Sequence, residues 1–410
     1  MSMKIIYLIN FLDYLGMAFV FPLMNPHILS LGGSLSLVGL LHSLSSGAQL
    51  FASPVIGSWS DTRGRKLLLV ITLCIVFISN VLSGLSSIPI FFLSRILYGI
   101  VHQTDPLLRA LIADIVPQEG LTDVFNNIMA TAGLAFIIGP IIGGALYELL
   151  GNFVYISIIL CTLDIITIST TFYFIEEKEK VKAKESNDKQ SNNKTFLQSI
   201  SDDLSKVFSD LGNVNWSKYG DILAIRFFCE CSFSSVIMNM GVILMQKFSM
   251  SRGYMGLAIA FFSVNLIIST FISSFLIQRF YKSDKSGYLR ILQASIVLTL
   301  SFCVMIFTNT AIMYLSVFVP LCAAKALFDS TWMEVLSSRT TESDKGVMMG
   351  AATSMISLSG LICPLVGGFV GDFIGVNALL ILPLIPAIIE IVLIKKVKHR
   401  IVAVAPEKND

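Results

Sequence analysis

The amino-acid sequence predicts an all-α membrane protein, with twelve transmembrane helices in two six-helix bundles, and three observations support this. Of 410 residues, 54% are hydrophobic and 14% charged, with a mean hydropathy of +0.78; a soluble chain of this size is rarely so apolar. The charges are also unevenly placed. None occurs from Tyr14 to Ser60, nor across 67–94, 124–147, 253–278, 291–324 or 346–371. A membrane helix needs about 20 mostly apolar residues, so each run holds one or two spans. Finally, one long hydrophilic stretch, 176–218, divides these runs into two sets. Backbone in lipid must bond within itself, and barrel strands would alternate in polarity over about 10 residues. The spans are therefore expected to be helices.

Division at charges and turn residues gives spans at 5–24, 38–58, 67–86, 90–112, 124–147 and 153–175 in the first bundle. The second holds 219–244, 253–277, 289–308, 311–334, 346–369 and 374–394. The first span is too long for a cleaved leader and carries Asp13, so it reads as a retained helix. The linker 176–218 is rich in lysine and acid, with a surface helix expected near Leu197–Leu211 and solvated chain around it. The expected domains are 1–175, the linker 176–218, and 219–410, which ends in a short tail.

Basic residues orient the chain. Apart from Arg95, Arg109, Arg226 and Lys325 within spans, and Lys247 and Arg252 beyond them, every Lys and Arg falls in one alternating set of segments. That set comprises the N-terminus, the loops 59–66, 279–290 and 339–345, the linker and the tail, so both termini are expected on the cytoplasmic side. The opposite loops are too short for an ectodomain. The sequence does not distinguish the plasma membrane from an intracellular vesicle membrane.

A net charge of +2 with no basic tract against aromatic platforms gives no support for nucleic-acid binding. The seven cysteines all lie in apolar segments and read as structural thiols. No histidine cluster has metal spacing, and no nucleophile elbow or phosphate-cradling loop occurs. Gly64-Arg65-Lys66 is too short to hold a nucleotide. An enzyme, a cofactor, a metal and ATP use are therefore not expected.

An internal repeat relates the halves. Gly139-Pro140-Ile-Ile-Gly143-Gly144, then Glu148 and Gly151, recurs at a single offset as Cys363-Pro364-Leu-Val-Gly367-Gly368, then Asp372 and Gly375. Two parallel six-span repeats point to a transporter that rocks one half against the other about a central site. Gly133, Gly139, Gly143 and Gly144 form a small-residue face for close packing, and Pro140 removes one amide from the helix ladder. Pro364, Gly367 and Gly368 are expected to do the same in span eleven, with spans five and eleven meeting each other.

The loop Gly57-Ser-Trp-Ser-Asp61-Thr-Arg-Gly64-Arg65-Lys66 reads as a tight connection in which the glycines allow sharp turning. Asp61 can face helix N-termini or basic groups, and Arg65 can bridge to Asp114; together they are a candidate cytoplasmic gate. The corresponding loop of the second half, Ile277–Lys285, keeps charge but lacks this glycine frame, which argues against a symmetric gate.

Gly57, Asp61, Gly64 and Arg65 resemble the signature loop of the major facilitator superfamily. Arg95 and Gly99 resemble its fourth-helix motif, and the glycine-proline run 133–144 resembles the fifth-helix motif of its antiporter branch. The segment from Phe11 to Pro22 is similar to the first helix of tetracycline/proton antiporters. With Gly99-Ile-Val-His102 and Arg109–Pro117, the whole is similar to the animal orphan facilitator-domain transporters. The resemblance implies a secondary transporter working by alternating access, functional as a monomer. Its motifs are specific for fold and uninformative about substrate.

Ionisable residues inside apolar helices must find partners or line water. Asp13 lies midway along span one and is a candidate proton- or substrate-coupled carboxylate, with a capping or packing acid as the alternative. Arg95 can organise a polar network or meet an anionic group. Asp105/Arg109, Arg226/Glu230 and Lys325/Asp329 are each four apart, a spacing that sets opposite charges on one helical face. Each can be a self-neutralised structural pair or exchange partners during transport. Asp164 has no partner close in sequence, and His102 can join the polar wall near Asp105. The expected partners are the lipid bilayer, protons and a small organic solute, with amphipathic cargo among the candidates. A uniporter, a lipid-like solute carrier and a transport-inactive sensor or scaffold are the alternatives.

Overall fold

The computed structural model describes residues 3–85, 87–175, 215–282, 284, 286–340 and 344–402. The linker expectation, including the helix near Leu197–Leu211, falls on 176–214 and lies outside the described residues, as does the tail beyond 402. Every regular element described is helical.

The first half contains α1 (Met3–Val20), α2 (Met24–Ser30), α3 (Leu35–Arg63), α4 (Arg65–Ser83), α5 (Ile88–Val101), α6 (Thr104–Ala113), α7 (Gln118–Leu150) and α8 (Phe153–Phe174). The second contains α9 (Trp216–Gln246), α10 (Arg252–Phe280), α11 (Tyr288–Ile306), α12 (Ala311–Ser316), α13 (Phe318–Arg339) and α14 (Lys345–Phe373). A 3-10 turn over Val376–Leu380, α15 (Leu384–Lys396) and α16 (Lys398–Val402) follow. Among the described residues, eleven stretches of helix are long and apolar enough to cross a membrane. The remaining expected span, 90–112, is split between α5 and α6 at His102 and Gln103. Pro106 lies two residues beyond the break and has no amide to donate to a continuous helix.

Two further departures concern the ends of elements. Span one continues past residue 24 through a turn into α2. The signature segment is mostly helix, since α3 runs through Gly57 to Arg63 and α4 begins at Arg65. Only Gly64 turns, at φ +98° and ψ 135°, a conformation that costs an L-residue about 1–3 kcal/mol.

The helices group into two compact units. Unit 1 takes in residues up to Gly33, Leu44 to Asp210, and Arg252–Ala260; unit 2 takes in Ser34–Ser43, Leu211–Ser251 and Phe261 onward. The units therefore do not follow the two halves of the chain strictly, because α3 and α10 each contribute their first turns to the unit opposite the rest of the helix.

Within unit 1, α1 packs on α7 and α8, and α4 on α5 and α8. Unit 2 repeats this pattern, with α9 on α14 and α15, and α11 on α13 and α15. Among helices in lipid, close packing and polar contacts hold neighbours together, and the glycine-proline motifs provide the close approach. In unit 1 a Cβ at Gly139 would lie 2.7 Å from Ala18 Cβ, and one at Gly143 would collide with the Phe19 carbonyl. Pro140 and Gly144 lie against Gly256 and Arg252 in the first turns of α10. In unit 2, Pro364 and Gly368 lie against Gly39 and Leu35 of α3, and Gly367 against Asn239 of α9. Small residues on each side thus seat α1 and α10 on span five, and α3 and α9 on span eleven. The repeat acids act alike: Glu148 accepts from Gly253 N (2.9 Å), and Asp372 from Leu35 N (2.9 Å) and Ser36 N (2.8 Å).

Candidate functional site

Unit 1 collects its membrane-embedded polar groups around α1. Asp13 is 9% exposed, and its Oδ2 lies 3.1 Å from His102 Nε2 at the break between α5 and α6. The His102 ring stacks on Tyr98 at 4.7 Å and meets Tyr14 edge-on. Arg95, buried on α5, donates from Nη2 to Asn80 Oδ1 (3.3 Å), and Asn80 Nδ2 donates to Asp164 Oδ2 (2.8 Å). The Arg95 guanidinium lies between the Phe91 and Tyr98 rings, 5.4 and 5.2 Å from their centroids, favourable positions for a cation. Asp13, Asn80, Arg95, Tyr98 and Asp164 together line a cavity of about 60 Å³, walled otherwise by residues such as Met17 and Phe21. A water needs about 10–15 Å³ of such space and sites for organic ligands run to about 300–1,000 Å³, so in this conformation the cavity suits water.

Asp105 and Arg109 form the pair expected on α6, with Nε to Oδ2 at 2.7 Å. It is partly exposed, and Arg109 also covers the Phe125 ring. A second cavity of unit 1, about 260 Å³, is lined by Gly57, Ser60, Arg65 and Gln103 among others. Arg65 donates to both Asp114 and Ser60, which is the expected bridge. The Asp61 side chain lies outside the described residues. No side chain would be crowded at Gly57, where an added Cβ meets nothing within 4 Å.

In unit 2 the two expected pairs, Arg226/Glu230 and Lys325/Asp329, merge into one cluster. Arg226 contacts Glu230 Oε1 (2.9 Å) and Asp329 Oδ1 (2.5 Å). Lys325 Nζ donates to Glu230 Oε1 (2.9 Å) and to Asp329 Oδ1 and Oδ2 (2.6 and 2.7 Å). Each cation holds both carboxylates, and the four charges cancel. Trp332 lies under Arg226 and Phe233 under Lys325.

The loop before α11 keeps half of the glycine frame. Asp284 and Gly287 repeat the spacing of Asp61 and Gly64, and Gly287 also has positive φ, +72°. Phe280 stands where the first glycine, Gly57, would be, so the expected loss holds for that position and not for the turning glycine. The basic residue has moved from the position after the glycine to Arg290. There it is 3% exposed and bonds Glu334 through two nitrogens (2.7 and 3.1 Å) and the Asp284 carbonyl (3.0 Å).

Asn80, Tyr98, Arg290 and Glu390 were not predicted as site residues. Arg290 and Glu390 had a readable signal, being ionisable residues in or beside apolar spans; Asn80 and Tyr98 had none, being ordinary residues of apolar spans.

Comparison with known proteins adds the family. Residues 6–218 and 222–409 match the family model of the Major Facilitator Superfamily. The tetracycline resistance protein, class E, of Escherichia coli is 30% identical over 140 residues, 33% of this chain and 35% of that protein. Multidrug resistance protein 1 of Bacillus subtilis (strain 168) is 34% identical over 140 residues, 34% and 36% of the two chains. The matched stretch thus spans about a third of the length of these relatives. Among solved structures, a bacterial homolog of the human lysosomal transporter Spinster, inward-facing and occupied, gives a TM-score of 0.74 at 13% identity, over 99% and 98% of the chains. The human organic anion transporter MFSD10 gives 0.65 at 17% identity, over 96% and 98%. Both likenesses are of fold.

Proposed function

Because the chain belongs to the Major Facilitator Superfamily, we propose that it is a secondary active transporter of a small amphipathic organic solute, coupled to protons by alternating access. One observation carries the proton reading: Asp13, buried mid-span, faces His102 at 3.1 Å and lines a water-sized cavity with Arg95 and Asp164. A carboxylate in such a place can exchange a proton with its imidazole partner or with water, and ionisable groups inside membrane helices mark such pathways. Amphipathic cargo is favoured by the apolar side chains Met17, Val20, Phe21 and Met24 around the two acids, a surface that a solute reaches when this water-sized cavity opens. The drug-resistance names of the bacterial relatives point the same way. The basic-residue distribution supports cytoplasmic termini, with Arg65–Asp114 and Arg290–Glu334 as gate pairs on that side.

The test is solute screening in vesicles containing the purified protein, with imposed and collapsed pH gradients. Coupled transport accumulates solute only under the gradient. Equilibration indifferent to pH, at equal protein content, would replace this reading with a uniporter.

A further inference from the structure

Glu390 belongs neither to the unit 1 site nor to the four-charge cluster. It lies on α15 in the twelfth span and is 1% exposed. The polar and titratable groups facing it are Ser295 of α11, Cys229 and Glu230 of α9, and Lys325 and Asp329 of α13. The only cation of that set, Lys325, is already held by Glu230 and Asp329, and the charges of the cluster cancel. Elsewhere in unit 2, Arg290 is held by Glu334 and Asp284, and Arg339 by Asp221. An ionised Glu390 would therefore place a negative charge inside the membrane with no free cation among its described neighbours, an arrangement that membrane proteins avoid.

Counting hydrogens gives a second and independent line. Ser295 Oγ is bonded to two oxygens, the Ile291 carbonyl on its own helix (2.9 Å) and Glu390 Oε1. A serine hydroxyl owns one hydrogen, and a carbonyl can only accept. Both contacts are hydrogen bonds when Ser295 donates to Ile291 and the Glu390 carboxyl donates its own proton to Ser295.

We infer that Glu390 is a proton-binding site of unit 2, occupied in this conformation and distinct from the four-charge cluster. On release, the O–H bond of the carboxyl breaks, the electron pair stays on the carboxylate and the proton passes to water. The carboxylate then needs a cation, and Lys325 becomes available when Asp329 or Glu230 lets it go. Proton release at Glu390 is thereby tied to opening of the cluster. The use of this site in transport rests on the proton-coupled reading above; its occupancy does not.

Infrared spectroscopy of the full-length protein in lipid reads the occupancy directly. The expected result is a protonated-carboxyl stretching band that shifts in deuterium oxide, disappears in Glu390→Gln and persists in Glu230→Gln. Should Glu390→Gln not fold, Ser295→Ala serves instead: it removes the acceptor and moves the same band to higher frequency. Wild-type spectra lacking the band, or a band unmoved by both variants, would overturn the proposal. If the band behaves as expected while wild-type transport ignores the pH gradient, the site stands and the proton-coupled reading falls.

Discussion

The two units share a helix plan and differ in how they balance buried charge. Unit 2 closes two cations and two carboxylates into one neutral circuit of direct contacts. Unit 1 leaves its charges apart: Asp13 rests on an imidazole, and Arg95 reaches Asp164 only through Asn80. A closed circuit resists change, since removing any member leaves a buried charge unpaired. A relay through neutral intermediates beside a cavity can change protonation state with little rearrangement. On the proton-coupled reading, Asp13 in unit 1 is the group that changes protonation most readily, while Glu390 in unit 2 does so only when the circuit opens.

The largest expected effect tests the closed circuit. Lys325→Leu should destabilise the protein by about 3–5 kcal/mol, the cost of stranding a buried partner. Lys325→Leu with Asp329→Leu should recover most of it, because Arg226 and Glu230 remain paired. Thermal unfolding in detergent checks both, and a double variant no better than the single would show that the cluster is not one circuit. Next come the two turning glycines. Gly287→Ala should cost about 2 kcal/mol or more, since a Cβ there lies 2.8 Å from Val335 Cγ2 as well as at positive φ. Gly64→Ala should cost about 1–3 kcal/mol. Gly57→Ala, helical and in open space, should be neutral or slightly stabilising; if all three behave alike, the backbone distinction between these glycines is lost.

Coupling is tested in unit 1. One proton per cycle across a gradient of one pH unit supports about tenfold accumulation, or ~1.4 kcal/mol. Asp13→Asn should reduce this to simple equilibration while leaving solute exchange in place. Accumulation equal to wild type in matched vesicles would move the coupling function elsewhere. A small effect on stability is expected at Arg65. Its partner Asp114 is 50% exposed, so Arg65→Ala should cost at most about 1 kcal/mol. Arg290→Ala, at the displaced and buried basic residue of the second loop, should cost several times more.

The spans were legible because a bilayer imposes a length and a composition that a linear sequence displays. The i,i+4 pairs were legible for a similar reason, as helical spacing fixes which side chains share a face. What the sequence did not display was their union, since Glu230 and Lys325 are brought together by packing of α9 near α13. The same holds for Asp13 and His102, and for Asn80 standing between Arg95 and Asp164. The second glycine frame was readable but offset: a register that tolerates movement of the basic residue finds Gly287 and Arg290. Glu390 needed no contact map, only attention to a lone acid in an apolar span.

The break in span four has a consequence for the chemistry of its backbone. Pro106 has no amide, and the amides of Thr104 and Asp105 open α6, ahead of the first bond within that turn, from Leu107 N to Gln103 O. Gln103 Nε2 and Thr104 Oγ1 are likewise buried without a protein partner, and Gln103 borders the 260 Å³ cavity. Irregular backbone at this depth is tolerated where it meets water or protein and not where it meets lipid. Hydrogen–deuterium exchange should therefore find quickly labelled amides at Thr104 and Asp105, flanked on both sides by protected helix. Water would be reported in the middle of a span by the peptide groups themselves.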